Sequence, residues 1–514
     1  GPWLMLGYPP TLGVFKRLTH SIVPAKRREV PEEAGTGHSS ATDDIKVVSK
    51  KGVRDATILS YRRMKIPMES EVIRIEGVGE WKILVPPTVY PPKEDTMMLC
   101  RAITKLTSNQ GSKAMEIGCG SGLVSIVLKT LGWDVVACDV NPYAVACTRG
   151  NMEANGLSGM SDVFEAEVGS DFTIAEETEL IVWNLPYLGE AAFGTGLHEK
   201  IEEAALSDIP EGGWGGVLLH TLENLHSELT ENIMVILVMR TEPESDSKII
   251  DWKLKGWSCR RLGAERFGVE RIEAICFWKT GSGQPAKILD SCKSTMDEAA
   301  KLPRSGWQRV LSMSQTSGRG RRGNSWISEK GGMFATWNLD SKLLERIPPG
   351  IIQTSIGAVV SRALGAEIKW PNDIVTENGV KIGGVLVESS NNSTIRVGVG
   401  ANRTGFASED FVSAGWTETM GDFDSSDVFR RIDREISSLF EAKKMIPETE
   451  VDFLTRLSWA ELSKSLSRGV LASNEGHLYR PTGLKKSGEL ELVGVEGATV
   501  FQDLGGIGWT RPNG

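Results

Sequence analysis

The sequence contains no run of about 18 or more apolar residues, so it predicts no membrane-spanning helix. It lacks any Cys-x-x-Cys pair, and its six histidines are scattered without ligand spacing, so no structural metal site is expected. The cysteines number seven, an odd count, and most lie in apolar runs. Buried free thiols in a reducing cytosol are the expected state, which predicts a cytoplasmic protein. Positive charge is also short. The net charge is −9, which argues against nucleic acid as a general partner. The N-terminus shows no secretory-signal pattern, so the Asn-x-Ser/Thr triplets at Asn391, Asn392 and Asn402 are not read as glycosylation sites. No internal repeat interrupts the chain.

What is present is a composition typical of folded domains: 514 residues, 40% hydrophobic and 24% charged. That length predicts two or three cores. Residues 1–45 mix Pro, Gly, Ser and charge without periodicity and are expected to be a disordered extension. Glu71–Val85 alternates as a hairpin should. From Glu94 onward, helix and strand patterns alternate with Gly-rich turns, as in a doubly wound sheet, to about residue 280. Gly281-Ser282-Gly283-Gln284-Pro285 marks a linker over 281–286. A second α/β segment follows over 287–442. The stretch 450–514 predicts a short helix and then strand pieces at Leu490–Val493 and Thr499–Gln502.

Ala114-Met115-Glu116-Ile117-Gly118-Cys119-Gly120-Ser121-Gly122 reads as a strand, a Gly-rich turn and a helix start. The next strand, Asp134–Cys138, ends in Asp139, a carboxylate placed to accept from ribose hydroxyls. The glycines fall at positions one, three and five, which is not dinucleotide-binding spacing. Val89-Tyr90-Pro91-Pro92-Lys93-Glu94-Asp95-Thr96 precedes this turn, and Ile181-Val182-Trp183-Asn184-Leu185-Pro186-Tyr187 follows it. The region from about 70 to 280 resembles the HemK/PrmC family of S-adenosylmethionine-dependent methyltransferases, in the archaeal and eukaryotic branch that methylates class 1 release factors. The resemblance implies a Rossmann-like class I fold over 46–280. It implies donor contacts from Thr96, Glu116, Gly118, Gly120, Gly122, Asp139, Asn184 and Asp171, the last at the end of a third strand. Asn184 and the carbonyl of Leu185 would hold a glutamine amide in line with the methyl group, with Tyr187 covering it. The family motif is Asn-Pro-Pro-Tyr, and Leu185 departs from it. A release factor is the implied acceptor, and a small zinc-binding activator protein the implied partner. Two alternatives stand beside this: methylation of an adenine amino group in nucleic acid, and a non-catalytic module that binds the donor.

In the second half, Gln315-Thr-Ser-Gly318-Arg319-Gly320-Arg321-Arg322-Gly323 packs three glycines and three arginines into six residues. Glycine permits close backbone approach, and arginine grips carboxylate and phosphate. Lys369-Trp370-Pro371-Asn372-Asp373 supplies a carboxylate suited to Mg²⁺, and Lys381-Ile382-Gly383-Gly384-Val385-Leu386-Val387-Glu388 a lysine opening a strand. Together these resemble the biotin protein ligases. The Arg-Arg-x-Ser-Gly-Gly-Gly loop of the related lipoate ligases is absent. The resemblance implies an α+β catalytic domain over 287–442 and a small SH3-like β domain over 450–514. It implies biotin contacts from Ser294, Thr295, Gln315, Gly318, Arg319, Arg321, Arg322 and Lys381. Arg321, Asn372, Asp373, Lys381 and Asn402 would meet ATP, with Asp373 on Mg²⁺. Lys381 and Arg321 would act on the reacting carboxylate and phosphate. Trp326 is either a core residue or a pocket wall, with the core the expectation. No DNA-binding helix-turn-helix precedes the domain, and no Ala-Met-Lys-Met acceptor motif occurs, so the implied partner is a separate biotin carboxyl carrier protein or domain.

Overall fold

The structure is a computed structural model that describes residues 69–107, 110–157, 162–170, 172–186, 210–320, 325–326, 329–390, 394–407, 411–501 and 507–510. The extension expected over 1–45 lies outside them, as do Asp171, Tyr187, Arg321 and Arg322. Residues 65–514 form one unit.

The first half opens on the hairpin β1 (Glu69–Ile75) and β2 (Gly79–Val85), whose pairing sets Ile73 opposite Trp81. Then come α1 (Glu94–Ile103), β3 (Lys113–Ile117), α2 (Leu123–Thr130), β4 (Asp134–Asp139), α3 (Pro142–Ala154), β5 (Val163–Glu165) and β6 (Thr178–Asn184). They are followed by α4 (Gly213–Glu223), α5 (Ser227–Asn232), β7 (Met234–Glu242), α6 (Ile249–Leu254), β8 (Trp257–Phe267) and β9 (Glu270–Lys279). The sheet order is β5-β4-β3-β6-β7-β9-β8. The first five strands are parallel and the last two antiparallel. Strands such as β6 and β7 are near-continuous apolar runs because both sheet faces are covered. The third strand ends at Glu165 and not near 171, a correction to the sequence reading. A three-residue strand carries too little periodicity to place.

The chain returns at once into the second half. Gly281, with φ of 75°, lies so close to the Arg309 guanidinium that a Cβ would stand 2.7 Å from it, and its N–H donates to Glu441 Oε2 at 3.1 Å. Next come β10 (Lys287–Leu289), α7 (Thr295–Ala299), β11 (Arg309–Ser312), β12 (Gly318–Arg319), β13 (Ser325–Trp326) and β14 (Met333–Asp340). After α8 (Pro349–Ala363) run β15 (Glu367–Lys369), β16 (Asp373–Val375), β17 (Lys381–Ser390), β18 (Thr394–Ala401), β19 (Phe406–Ala407) and β20 (Val412–Ser413). A mixed sheet in the order β10-β11-β14-β18-β17-β16-β15 is backed by α8 and by α9 (Ser425–Phe440). The end of the chain holds α10 (Val451–Leu466) and a five-stranded sheet of β21 (Leu471–Asn474), β22 (His477–Leu484), β23 (Leu490–Gly494), β24 (Gly497–Phe501) and β25 (Gly508–Thr510). At 16 residues, α10 is longer than the short helix expected. Among the described residues no helix is long and apolar enough to cross a membrane.

One buried polar cluster pins α9 to its sheet. Asp433 accepts from Trp307 Nε1 and Trp337 Nε1, each at 2.8 Å, and from Arg309 Nε at 3.0 Å. Burial pushes the Asp433 carboxyl up, while Arg309 pulls it down. Asp433→Asn should cost on the order of 3–5 kcal/mol in denaturant unfolding, because the buried Arg309 loses its counter-charge.

Two candidate active sites

At the first site the glycine turn joins β3 to α2. Gly118, Gly120 and Gly122 have φ of 67°, 51° and 82°. A Cβ on Gly122 would stand 2.9 Å from Thr148 Cα, so α3 can close on this turn only if position 122 has no side chain. Asp139 ends β4. Its carboxylate accepts from the Gly120 N–H and the Asn141 N–H, each at 2.9 Å. Burial pushes its pKa up against those two bonds. Asn141 donates from Nδ2 to the carbonyl of Thr88 at 2.9 Å, and the carbonyl of Tyr90 lies 3.8 Å from where a Gly120 Cβ would sit. The segment before α1, which leads to Thr96, therefore lies against the glycine turn. Thr96 donates its N–H to Asp95 Oδ1 at 2.6 Å in the first turn of α1.

Asn184 ends β6, the strand beside β3, at the same sheet edge as Asp139. Its Oδ1 is buried and has no hydrogen-bond partner among the described residues. A buried acceptor without a partner is costly, so this atom is poised for a donor from elsewhere. Leu185 is buried, and its N–H donates to the Val238 carbonyl at 3.1 Å. The sheet therefore fixes the turn although proline is missing. Tyr187 and Asp171 lie outside the described residues.

Glu116 takes a different place from its neighbours. It is 3% exposed, and its carboxylate accepts from Ser125 of α2. Burial, against the Ser125 bond and with the Asp139 charge nearby, pushes its pKa up to about 8. A carboxyl whose pKa is raised on folding binds its proton more tightly when folded. Stability should then fall as pH rises from the ordinary carboxylate range toward about 8 and level off beyond it. Glu116→Gln should flatten that slope and raise the melting temperature more at pH 8 than at pH 5, read by calorimetry across pH.

At the second site, one cavity of about 370 Å³ is lined by Ser294, Thr295, Gln315, Arg319, Asn372, Asp373 and Lys381, among others. Gln315 Oε1 accepts from the Thr295 N–H at 2.8 Å and from its hydroxyl at 3.1 Å, and Thr336 in turn donates to Thr295 Oγ1 at 2.9 Å. Ser294 Oγ is buried and without a partner among the described residues, so this corner offers a hydroxyl to a polar ligand head. Arg319 is held by Asp297 at 2.6 Å, beside Gly318 on the short β12. Arg321 and Arg322 lie outside the described residues.

A second polar group sits on β16 and β17. Lys381 Nζ is 2.6 Å from Asp373 Oδ1, and Lys369 Nζ is 3.8 Å from Asp373 Oδ2. Asn372 donates to the Val385 carbonyl at 3.0 Å and receives the Val385 N–H at 2.9 Å, which locks the turn to β17. Asn402 does not line the cavity. It follows β18 as a buried residue whose Oδ1 lacks a partner among the described residues.

Trp326, expected in the core, instead forms a cavity wall, with Lys381 Nζ 5.1 Å from its ring centroid. The floor it faces is glycine. A Cβ on Gly400 would stand 3.0 Å from the indole, so a side chain there would press on the ring and bare Gly400 lets strand β18 pass closely beneath it. Gly384, from the Lys381–Glu388 motif, also lines the cavity, as do Gly398 and Met296, which escaped the sequence reading. The alternation Val397-Gly398-Val399-Gly400 was the available signal, since it sets both glycines on one strand face.

Residues 94–238 match the methyltransferase small domain family, and residues 291–401 match the biotin/lipoate A/B protein ligase family. A Methanocaldococcus jannaschii protein provisionally named as a protein N5-glutamine methyltransferase is 34% identical over 121 residues, covering 23% of this chain and 55% of the relative. The ribosomal RNA small subunit methyltransferase C of Chromohalobacter salexigens is 30% identical over 110 residues, covering 21% and 32%. The biotin–[acetyl-CoA-carboxylase] ligase of Paracoccus denitrificans is 34% identical over 143 residues, covering 25% and 59%. The chain thus spans less than two thirds of the length of each of these relatives.

Proposed function

We propose that this chain, which joins a methyltransferase small domain to a biotin/lipoate ligase domain, is a bifunctional protein-modifying enzyme. The units would lie over 46–280, 287–442 and 450–514. The ligase half would condense biotin with ATP and pass biotin to a carrier-protein lysine. The observation that carries this is the single cavity that gathers a hydroxyl and amide cluster, an arginine, and the Asp373–Lys381 pair. A carboxylate attacking the α-phosphorus brings two anions together, and the chain must screen both while pyrophosphate leaves. Lys381 would stand between them, and Arg319 at the cavity wall would add a second cation. Asp373, whose carboxylate lies beside Lys381 and Lys369, would offer Mg²⁺ a hard oxygen donor, and the ion would supply further charge neutralisation at the phosphates. A carrier amine would then attack the acyl carbon and expel AMP.

The methyltransferase half would transfer methyl from S-adenosylmethionine to a protein glutamine amide. Its support is the Asn184 Oδ1, without a partner among the described residues, which can accept one amide N–H and hold the nitrogen in line with the methyl group. As the N–C bond forms the sulfonium S–C bond breaks, S-adenosylhomocysteine departs, and the amide proton passes to water. The ribosomal RNA relative favours a second reading, in which the acceptor is nucleic acid.

One experiment separates these. The chain is incubated with labelled biotin and ATP plus a biotin carrier domain. In parallel it is incubated with labelled methyl donor plus a class 1 release factor or ribosomal RNA, with and without a small zinc-binding activator. Biotin label on the carrier and methyl label on the release factor are expected. Label on the RNA alone would move the acceptor to nucleic acid. Donor binding without transfer to either would reduce the first half to a binding module. An unlabelled carrier would sink the ligase reading.

A further inference from the structure

The edge strand β8 of the seven-stranded sheet is covered along its first half, where Trp257, Ser258, Arg260 and Leu262 are buried. It meets the end of α9 and the connector 441–450 that leads from α9 to α10. Arg260 on β8 is only 9% exposed. It donates from Nε to the Ser438 carbonyl at 3.0 Å, from Nη1 to the Pro447 carbonyl at 2.8 Å, and from Nη2 to the Glu441 carbonyl at 3.2 Å. Its guanidinium lies 5.3 Å from the centroid of the Trp278 ring. One side chain from the first half thus satisfies three carbonyls of the second.

Neighbouring groups tighten the same seam. Trp278 Nε1 donates to Glu441 Oε2 at 3.1 Å and to Ser437 Oγ at 3.3 Å. The Cys259 N–H donates to Ser438 Oγ at 3.1 Å. The Thr107 N–H donates to the Met445 carbonyl at 3.0 Å. Met445 and Ile446 are buried in the same apolar cluster as Ile73, Met98 and Leu262 of the first half. Lys253 of α6 pairs with Glu435 of α9 at 2.6 Å. At the far end of the connector, the Arg261 guanidinium lies 5.8 Å from the Phe453 ring centroid on α10. The connector therefore has part of its hydrogen bonding and part of its apolar burial inside the other half.

We propose that the seven-stranded sheet is a structural part of the ligase half: through Arg260 and Trp278 it holds the connector between α9 and α10, so the two halves open as one cooperative body. Surfaces of tethered domains are more polar and loosely joined. Here a buried arginine and two buried apolar side chains cross the boundary, and losing either side strands polar groups without partners. The inference does not depend on which ligands the two sites take.

Hydrogen exchange on the full chain tests it with no ligand present. Arg260→Met keeps the apolar stem and removes the three donors. The expected result is exchange faster by on the order of tenfold or more in the last turn of α9, the connector and α10, although the substitution lies in β8. Acceleration confined to β8 and β9 would overturn the proposal. Trp278→Phe, which removes the indole N–H together with part of the buried ring, should accelerate exchange in the same last turn of α9 and connector through the loss of the Glu441 and Ser437 bonds. If Arg260→Met does not accumulate, calorimetry of the unsubstituted chain decides. A single unfolding transition is expected, and two transitions, one from each half, would overturn the idea.

Discussion

Lys381→Ala should slow adenylate formation by on the order of 10²–10³ while leaving the fold intact. The Nζ lies 2.6 Å from Asp373 Oδ1 and 5.1 Å from the Trp326 centroid, at the wall of the cavity. Its side chain is 42% exposed, so it is not a core element and its removal should cost little stability. In the proposed reaction it is the group that meets both anions at once, where charge builds as the carboxylate reaches phosphorus. Biotin-dependent exchange of pyrophosphate into ATP is the measurement. A fall in rate at saturating biotin and ATP is expected, with little change in binding. Exchange at the original rate would exclude Lys381 from the chemistry. Loss of biotin binding alone would make it a binding group only.

The described parts of both candidate sites were legible in the sequence because their signals are local. The glycine turn, Asp139 at a strand end, and Lys381 opening β17 each follow from a few adjacent residues. The cavity brings Ser294, Gln315, Asn372 and Lys381 together from separate elements, yet each is marked by its own motif. Trp326 stood between core and pocket wall because β12 and β13 are two residues long, too short for a period to show which way an indole points. Helix α10 was read too short because its buried face carries Ser458, Glu461 and Ser465 beside Leu454 and Leu462, which blurs the apolar repeat. The contacts of Arg260 were invisible for another reason. Its acceptors are backbone carbonyls nearly two hundred residues away, and a carbonyl leaves no mark in a sequence.

Asn184→Ala and Asp139→Ala should separate chemistry from donor binding at the first site. Asn184 ends β6 with a buried, unpartnered Oδ1, so truncation removes an acceptor that no described residue uses. Leu185 keeps its N–H bond to Val238 in the variant, so the turn should hold. Donor binding should then survive, while methyl transfer falls by on the order of 10² or more, because an amide nitrogen that is not aimed loses the benefit of orientation. Asp139 behaves differently. Its two oxygens already accept from Gly120 and Asn141, so the carboxylate braces the glycine turn, and in the proposed reading it would also accept from the donor's ribose. Asp139→Ala should weaken donor binding by roughly 1.5–3 kcal/mol, the scale of a charged hydrogen bond, and part of that loss would come from the turn itself. Asp139→Asn, which keeps a carbonyl oxygen for one of the two N–H groups, should recover some of it. Calorimetric titration with S-adenosylhomocysteine, paired with a methyl-transfer assay, reads both quantities. Equal loss of donor binding in Asn184→Ala and Asp139→Ala would remove Asn184 from the acceptor side. Full transfer by Asn184→Ala would leave the amide-positioning role without a residue.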